Sequence, residues 1–428
     1  MTDRLTTDLI HHPYTAPAEF DALPPGVFKA SSVFFPSVAA LRERRWDDKS
    51  GYTYGLHGTP TTFTLEARLA TLEGAEHVLL APSGLSAITL VDMAVLSAGD
   101  EVLLPDNVYG PSRSFATHEL KQWGIACRLY DPMDPASLLA ALMPQTKLVW
   151  LEAPGSVTLE FPDLRGLVRG VRAQAPQAVV ALDNTWGAGI AFNAFDLGDG
   201  LAVDVTVHAL TKYPSGGADV LMGSVACRDD ALYRRLAWCH SRLGIGVGAN
   251  DVEALLRGLP SLALRYAAQD AAGRHIAAWC QGRAEFVRVL HPALPDSPGH
   301  EHWAGLCSAA AGLVTVEFDP AYSAAQVDAF VDALRLFRIG WSWGGPVSLA
   351  VPYQPKAMRS LATPYRGTLV RLCIGLEAVE DLVGDLEQAL EADDVAGPGH
   401  RRQNAAGLIL GAVVQQNRGA SIFPARRP

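Results

Sequence analysis

The segments QAVVALDNTW (residues 177–186) and VDVTVHALTKYPSGG (residues 203–217) decide the fold class. Each is a short run of mostly β-branched and apolar residues that ends in polar ones, Asp183 in the first and Lys212 in the second. A strand without polar alternation is buried on both faces, as in a parallel sheet covered by helices on either side. Working outward, HVLLAPSG (77–84), DEVLLP (100–105) and TKLVWLEAPGS (146–156) have the same form. Helix-length segments separate them: TLEARLATLEG (64–74), with Leu65, Leu69 and Leu72 at helical spacing, LSAITLVDMAVLSAGD (85–100) and PSRSFATHELKQWG (111–124). This alternation predicts an α/β fold around a mostly parallel sheet.

Beyond about residue 255 the texture changes. Residues 251–281 read as one long helix broken at Gly258-Leu259-Pro260. The strand-like pieces GLVTVEF, FRIGWSW, VSLAVPY and LVRLCIGL follow, and EDLVGDLEQALEA closes the pattern as an amphipathic helix. The expected organisation is an N-terminal arm (1–62), a large α/β domain (63–257), a smaller α+β domain (258–395) and a tail outside the fold (396–428).

Composition narrows the function. The chain has 428 residues, 49% of them hydrophobic and 19% charged, which is globular. Lys and Arg number 35 against 45 Asp and Glu, a net charge of -10, so a general nucleic-acid or anionic-membrane binder is not expected. The apolar run AAGLILGAVV (405–414) is half the roughly 20 residues that a membrane span needs. The start, MTDRLTTDLI, has no apolar leader region. Six cysteines without a CxxC pair predict free thiols in a reducing cytoplasm.

Open sheets of this type bind ligands beyond the carboxyl ends of their strands. There the sequence offers Asp183, Lys212 and a Ser83-Gly84 pair between a strand and a helix, where backbone N–H groups hold phosphate. Singly, each has an ordinary structural use: a solvated lysine, a turn aspartate, a helix cap. Together they suit pyridoxal phosphate, with a lysine for its aldehyde, a carboxylate for its ring nitrogen and a helix N-terminus for its phosphate. No GxGxxG follows the first strand, which argues against a nicotinamide dehydrogenase on the same kind of sheet.

The chain also resembles the Cys/Met-metabolism family of pyridoxal-phosphate enzymes of fold type I. The strings that carry the resemblance run in order over about residues 50 to 392: YGLHGTPTTFTLE, LAPSGLSAI, DNVYGPSRSF, LEAPGS, ALDNTWGAG, VHALTKYPSGGADVLMG, LLRGLPSLALR, VLHPALPDSPGHE, WSWGG and GTLVRLCIGLE. The resemblance implies Lys212 as the Schiff-base lysine, Asp183 as partner of the ring nitrogen, and Gly84, Leu85 and Thr211 as phosphate ligands. It implies Tyr109 stacked on the ring and aiding catalysis. It implies Tyr54 reaching a neighbouring subunit's cofactor and substrate, Arg371 gripping the substrate carboxylate, and Ser342 and Trp343 on the substrate side. It further implies a homotetramer built as a dimer of dimers.

Two positions depart from the family pattern. Leu56 stands where an arginine usually follows Tyr-Gly, and Ala209 where many relatives carry a hydroxyl residue. The EAPGS (152–156) and WSWGG (341–345) strings resemble the β-lyases. The expected reaction is therefore α,β-elimination of L-cystathionine to homocysteine, pyruvate and ammonia, a step of methionine biosynthesis. A γ-lyase or γ-replacement enzyme is the alternative, and a non-catalytic cofactor-binding regulator, favoured only by Leu56, the remote one.

Overall fold

The computed structural model describes residues 26–392 and Val395. The tail expected over 396–428 and the first 25 residues of the arm lie outside the described residues. Seven strands form the first sheet: β1 (His77–Ala81), β2 (Glu101–Pro105), β3 (Ala126–Tyr130), β4 (Thr146–Glu152), β5 (Val179–Asp183), β6 (Val205–His208) and β7 (Gly223–Cys227). Their spatial order is β1-β7-β6-β5-β4-β2-β3. The run from β6 to β3 is parallel, and β7 is antiparallel to both β6 and β1.

Both faces of this sheet are buried, as its unbroken apolar strands require. Along β4, Leu148 and Trp150 enter one core while Val149 and Leu151 enter the other. The helix Gly84–Val95 closes the first face with Ile88, Leu90, Val91 and Val95. The helix Leu164–Gln174 closes the second with Leu164, Leu167, Val168 and Val171, at the spacing of one helical stripe. Each such side chain contributes about 1.5–3 kcal/mol on leaving water. Both helices start where a side chain can cap them: Ser83 Oγ accepts from Ser86 N and Asp163 Oδ1 from Gly166 N.

The second sheet holds β8 (Phe286–Leu290), β9 (Leu313–Phe318), β10 (Arg338–Ile339), β11 (Leu349–Tyr353) and β12 (Leu369–Cys373), in the order β10-β11-β12-β9-β8. Its pairings are antiparallel except for the short β10–β11 contact. The expected long helix is present as Ala249–Gly258 and Leu262–Gln281, joined by a 3-10 turn at Leu259–Ser261. Gly258 is needed at the break, because a Cβ there would lie 2.4 Å from Pro214 O in the loop after Lys212.

Several expectations need correction. Lys212 does not close a strand: β6 ends at His208, and Lys212 sits in the following turn, its N–H donating to Ala209 O. Only Arg338–Ile339 of FRIGWSW is strand, so Trp341 to Trp343 form a loop. The β3, β7 and β8 strands had not been expected. β3 has mixed burial at the sheet edge, and β7, GSVAC, is made of small residues. Within the arm, Ser32 bridges Tyr54 and the Phe28 N–H donates to Thr61 Oγ1. No helix among the described residues is long and apolar enough to cross a membrane.

A buried charge cluster joins the layers. Arg359, in the segment between β11 and β12, donates to Asp106 (2.7 Å) and Glu160 (2.9 Å). The three side chains are 3%, 0% and 5% exposed, so the guanidinium is a counter-charge to two acids removed from water, and Arg113 adds a second one 3.7 Å from Asp106. The Ser360 and Leu361 N–H groups also donate to Asp106, and Tyr365 Oη and Asn107 Nδ2 donate to Glu160. Taking one partner from a buried ion pair costs about 3–5 kcal/mol, because the other charge stays behind unpaired.

Candidate active site

The carboxyl ends of β4, β5 and β6 meet the Arg371 strand in one cleft. Asp183 is the last residue of β5. The Thr185 N–H donates to its Oδ1, and Thr185 Oγ1 accepts from Ala209 N, which ties the turn after β5 to the turn before Lys212. Burial raises the Asp183 pKa, and the Thr185 hydrogen bonds, His208 and Lys212 work against that rise. Beneath this turn, Glu73 accepts from Asn184 Nδ2 and pairs with His208 Nδ1, each at 2.8 Å.

Lys212 Nζ lies 3.2 Å from Ser342 Oγ and 5.5 Å from the centre of the Trp343 ring. Burial, and then the positive charge of Arg371, lower its pKa to about 8. An amine held there is partly neutral at physiological pH, which a nucleophile or proton acceptor requires. The loop that carries it is anchored by Arg265, whose Nη1 donates to Tyr213 O. The Tyr213 hydroxyl in turn accepts from Gly312 N, at the second sheet.

Arg371 is a buried residue of β12. Its Nη1 donates to Ser156 O, its guanidinium lies 5.4 Å from the Tyr353 ring centre, and its Nε is buried without a partner. A planar cation with an unspent donor beside a neutralisable lysine suits a carboxylate ligand. Tyr109 precedes the helix Gly110–Phe115, and its N–H donates to Glu152 Oε2 at 2.8 Å. Burial and then the Asp183 charge raise the Tyr109 pKa, while Arg371 lowers it.

The turn at Ser83-Gly84 approaches the Lys212 turn so closely that a Cβ on Gly84 would lie 2.5 Å from Ala209 Cβ. This close approach puts the N-terminus of a 12-residue helix, at Gly84 and Leu85, beside the Lys212 turn. Thr211 is adjacent, but its hydroxyl is engaged with Met222 N and O. With Lys212, Asp183 and the free Arg371 donor, these residues fit pyridoxal phosphate carrying an amino-acid substrate.

Of the expected site residues, Lys212, Asp183, Tyr109, Arg371, Ser342 and Trp343 are brought together. Tyr54 is not, within one chain. It lines a separate cavity of about 430 Å³ with Leu56, His57, Glu66 and His240. There His57 contacts Thr53 Oγ1 (2.9 Å) and Ser241 Oγ (3.3 Å) and stacks on Trp46, so its ring is committed to its own chain. Glu152 was missed as a site residue. Its signal was its place at the end of β4, level with Asp183 on β5.

Residues 6–391 match the family described as "Cys/Met metabolism PLP-dependent enzyme". A putative cystathionine beta-lyase of Rhizobium johnstonii is 39% identical over 371 residues, which cover 86% of this chain and 91% of that relative. The cystathionine beta-lyase of Escherichia coli is 33% identical over 389 residues, or 90% of this chain and 97% of that relative. Among solved structures, a cystathionine gamma synthase of Xanthomonas oryzae in complex with aminoacrylate and cysteine superposes with a TM-score of 0.78 at 31% identity, covering 88% of this chain and 94% of that one.

Proposed function

The chain belongs to the Cys/Met metabolism family of PLP-dependent enzymes, and from that premise we propose that it is a carbon–sulfur lyase catalysing α,β-elimination of L-cystathionine to homocysteine, pyruvate and ammonia. The observation that carries the reading is the convergence of a lysine with a lowered pKa, Asp183 and an arginine with an unpaired buried Nε in one cleft. The β-lyase relatives and the Pro-Gly-Ser and Trp-Ser-Trp-Gly-Gly strings support the choice of bond.

Bound pyridoxal phosphate supplies the electron sink for the charge left when the substrate loses its α-proton. In this reading Lys212 would hold the cofactor through its amine and would be the group placed to take the α-proton, with Ser342 keeping that amine in place. Asp183 faces the ring nitrogen as a carboxylate and keeps it protonated. Gly84 and Leu85 would offer backbone N–H groups to the phosphate, Thr211 would join them by turning its hydroxyl away from Met222, and Tyr109 would cover the ring. Arg371 holds the α-carboxylate with its free donors, and Trp343 walls the substrate side. Tyr54 acts in the site of a neighbouring subunit of a homotetramer. All six cysteines are free thiols, in keeping with a cytoplasmic enzyme.

A γ-type reaction is the second reading, favoured by the superposition on a cystathionine gamma synthase. Product identification with purified protein, added cofactor and either cystathionine or a homoserine ester with cysteine separates the two. Pyruvate is expected. 2-Oxobutyrate, or a thioether formed from a homoserine ester, would replace the β-lyase reading with the γ-type one.

A further inference from the structure

Glu152 lies in the cleft with no role in the chemistry above. It is 8% exposed and ends β4 directly level with Asp183 in the parallel register. No Lys, Arg or His among the described residues stands within ion-pair distance of it. The Tyr109 N–H donates to its Oε2 at 2.8 Å, and the Ser156 N–H also points to its carboxyl group. We propose that Glu152 is a positioning residue of this site, which holds Tyr109 through that backbone N–H and does so as a neutral carboxylic acid. The inference rests on the reading of the cleft as the cofactor site.

Two carboxylates at the ends of adjacent strands in a buried place cannot both be charged without a large penalty, so one keeps a proton. The groups facing Glu152 decide which. From β5 comes Asp183, a like charge; from β12 comes Arg371, whose charge favours the ionised form but ranks below burial and Asp183; from β3 comes the Tyr130 hydroxyl. From the two loops come the Tyr109 and Ser156 N–H groups. Asp183, by contrast, has the Thr185 hydrogen bonds and the Lys212 charge on its side. Burial and then the Asp183 charge push Glu152 well above the usual carboxylate range. The proton therefore belongs to Glu152 and the charge to Asp183.

This division gives each acid a distinct task. Asp183 carries the negative charge of the pair, beside Lys212. Glu152 fixes the backbone of Tyr109 without adding a second charge that would compete for the same proton.

The first test needs no cofactor and no substrate. The infrared difference spectrum between the apo wild type and apo Glu152→Gln at neutral pH should show loss of the carbonyl stretch of a protonated carboxylic acid. Loss of ionised-carboxylate bands alone would overturn the neutral acid. The second test is turnover of the cofactor-loaded protein on whichever amino-acid thioether the wild type consumes, so that failure of the cystathionine assignment leaves it intact. Glu152→Gln, which keeps the acceptor oxygen, should stay within about threefold of wild type in kcat, KM and pH profile. Glu152→Ala, which frees the Tyr109 N–H, should lose about tenfold or more in kcat. A Gln variant as impaired as the Ala variant, or an Ala variant as active as wild type, overturns the positioning role. If Glu152→Ala does not fold, as read by circular dichroism, the spectrum and kinetics of Glu152→Gln decide.

Discussion

Replacing Asp92 by asparagine should stabilise the protein, and more so as pH rises. Asp92 lies on the helix Gly84–Val95, 2% exposed, under the first sheet. Its Oδ1 accepts from Trp150 Nε1 at 2.8 Å, and no ion pair to it exists among the described residues. Burial raises its pKa from 3.8 to about 7. The sign follows from which state holds the proton. An unfolded aspartate ionises near pH 3.9 while the folded one keeps its proton until about 7, so stability falls as pH rises between those values. A gap of about three pH units at roughly 1.4 kcal/mol each amounts to on the order of 4 kcal/mol above pH 7. Asparagine keeps the acceptor for Trp150 and carries no charge, but it brings N–H donors of its own. Leaving one unsatisfied costs about 1–3 kcal/mol, so the net gain at pH 8 is of order 1–3 kcal/mol. That offset is nearly constant with pH, which makes the pH dependence the cleaner measure. The gain should grow by about 2 kcal/mol between pH 5.5 and pH 8. Urea unfolding of apo wild type and Asp92→Asn at both pH values reads it. A difference that stays flat across that range would refute the buried, uncompensated acid.

Lys212→Ala should fold yet bind no cofactor covalently, and borohydride reduction of the loaded wild type followed by peptide mapping should place the label at residue 212. Capture of the cofactor by the apo protein should accelerate with a midpoint near pH 8, because the neutral amine reacts and burial lowers its pKa to about 8. Arg371→Lys should raise KM strongly with less effect on kcat, since a point charge replaces a planar fork; an unchanged KM would assign the carboxylate to another residue. Leu56→Arg should slow loss of cofactor on dialysis at fixed pH and salt by roughly one to two decades in affinity, the worth of a charge-assisted phosphate contact. Equal loss from both proteins would remove the YGLHG loop from the neighbour's phosphate site.

Strands buried on both faces were legible because most of their positions are apolar without alternation; β4 and β5 announced themselves, and so did the acid that ends β5. The edge strand β3 did not, since its alternating exposure resembles a loop, nor did β7, whose Gly-Ser-Val-Ala-Cys owes its place to pairing on both sides. Lys212 was found four residues past the end of its strand, because a polar residue after an apolar run does not tell a strand end from a turn. Glu152 was written in the sequence as plainly as Asp183, but its use depends on what faces it across a strand boundary. Arg359 gave no local signal, because its partners lie 253 and 199 residues away.

That separation has a consequence for how the chain comes into being. The two acids that Arg359 neutralises are both made long before it. At roughly 5–20 residues per second, the ribosome delivers the arginine about 10–50 s after Asp106. Until then the strand that carries Asp183 and the turn that carries Lys212 can assemble only with Glu160 lacking its counter-ion and with Asp106 facing Arg113 at 3.7 Å. The first sheet reaches its final form when the segment ahead of β12 arrives to complete it. A nascent chain arrested before that point holds every residue of the lysine turn and still lacks the piece that lets its neighbourhood settle.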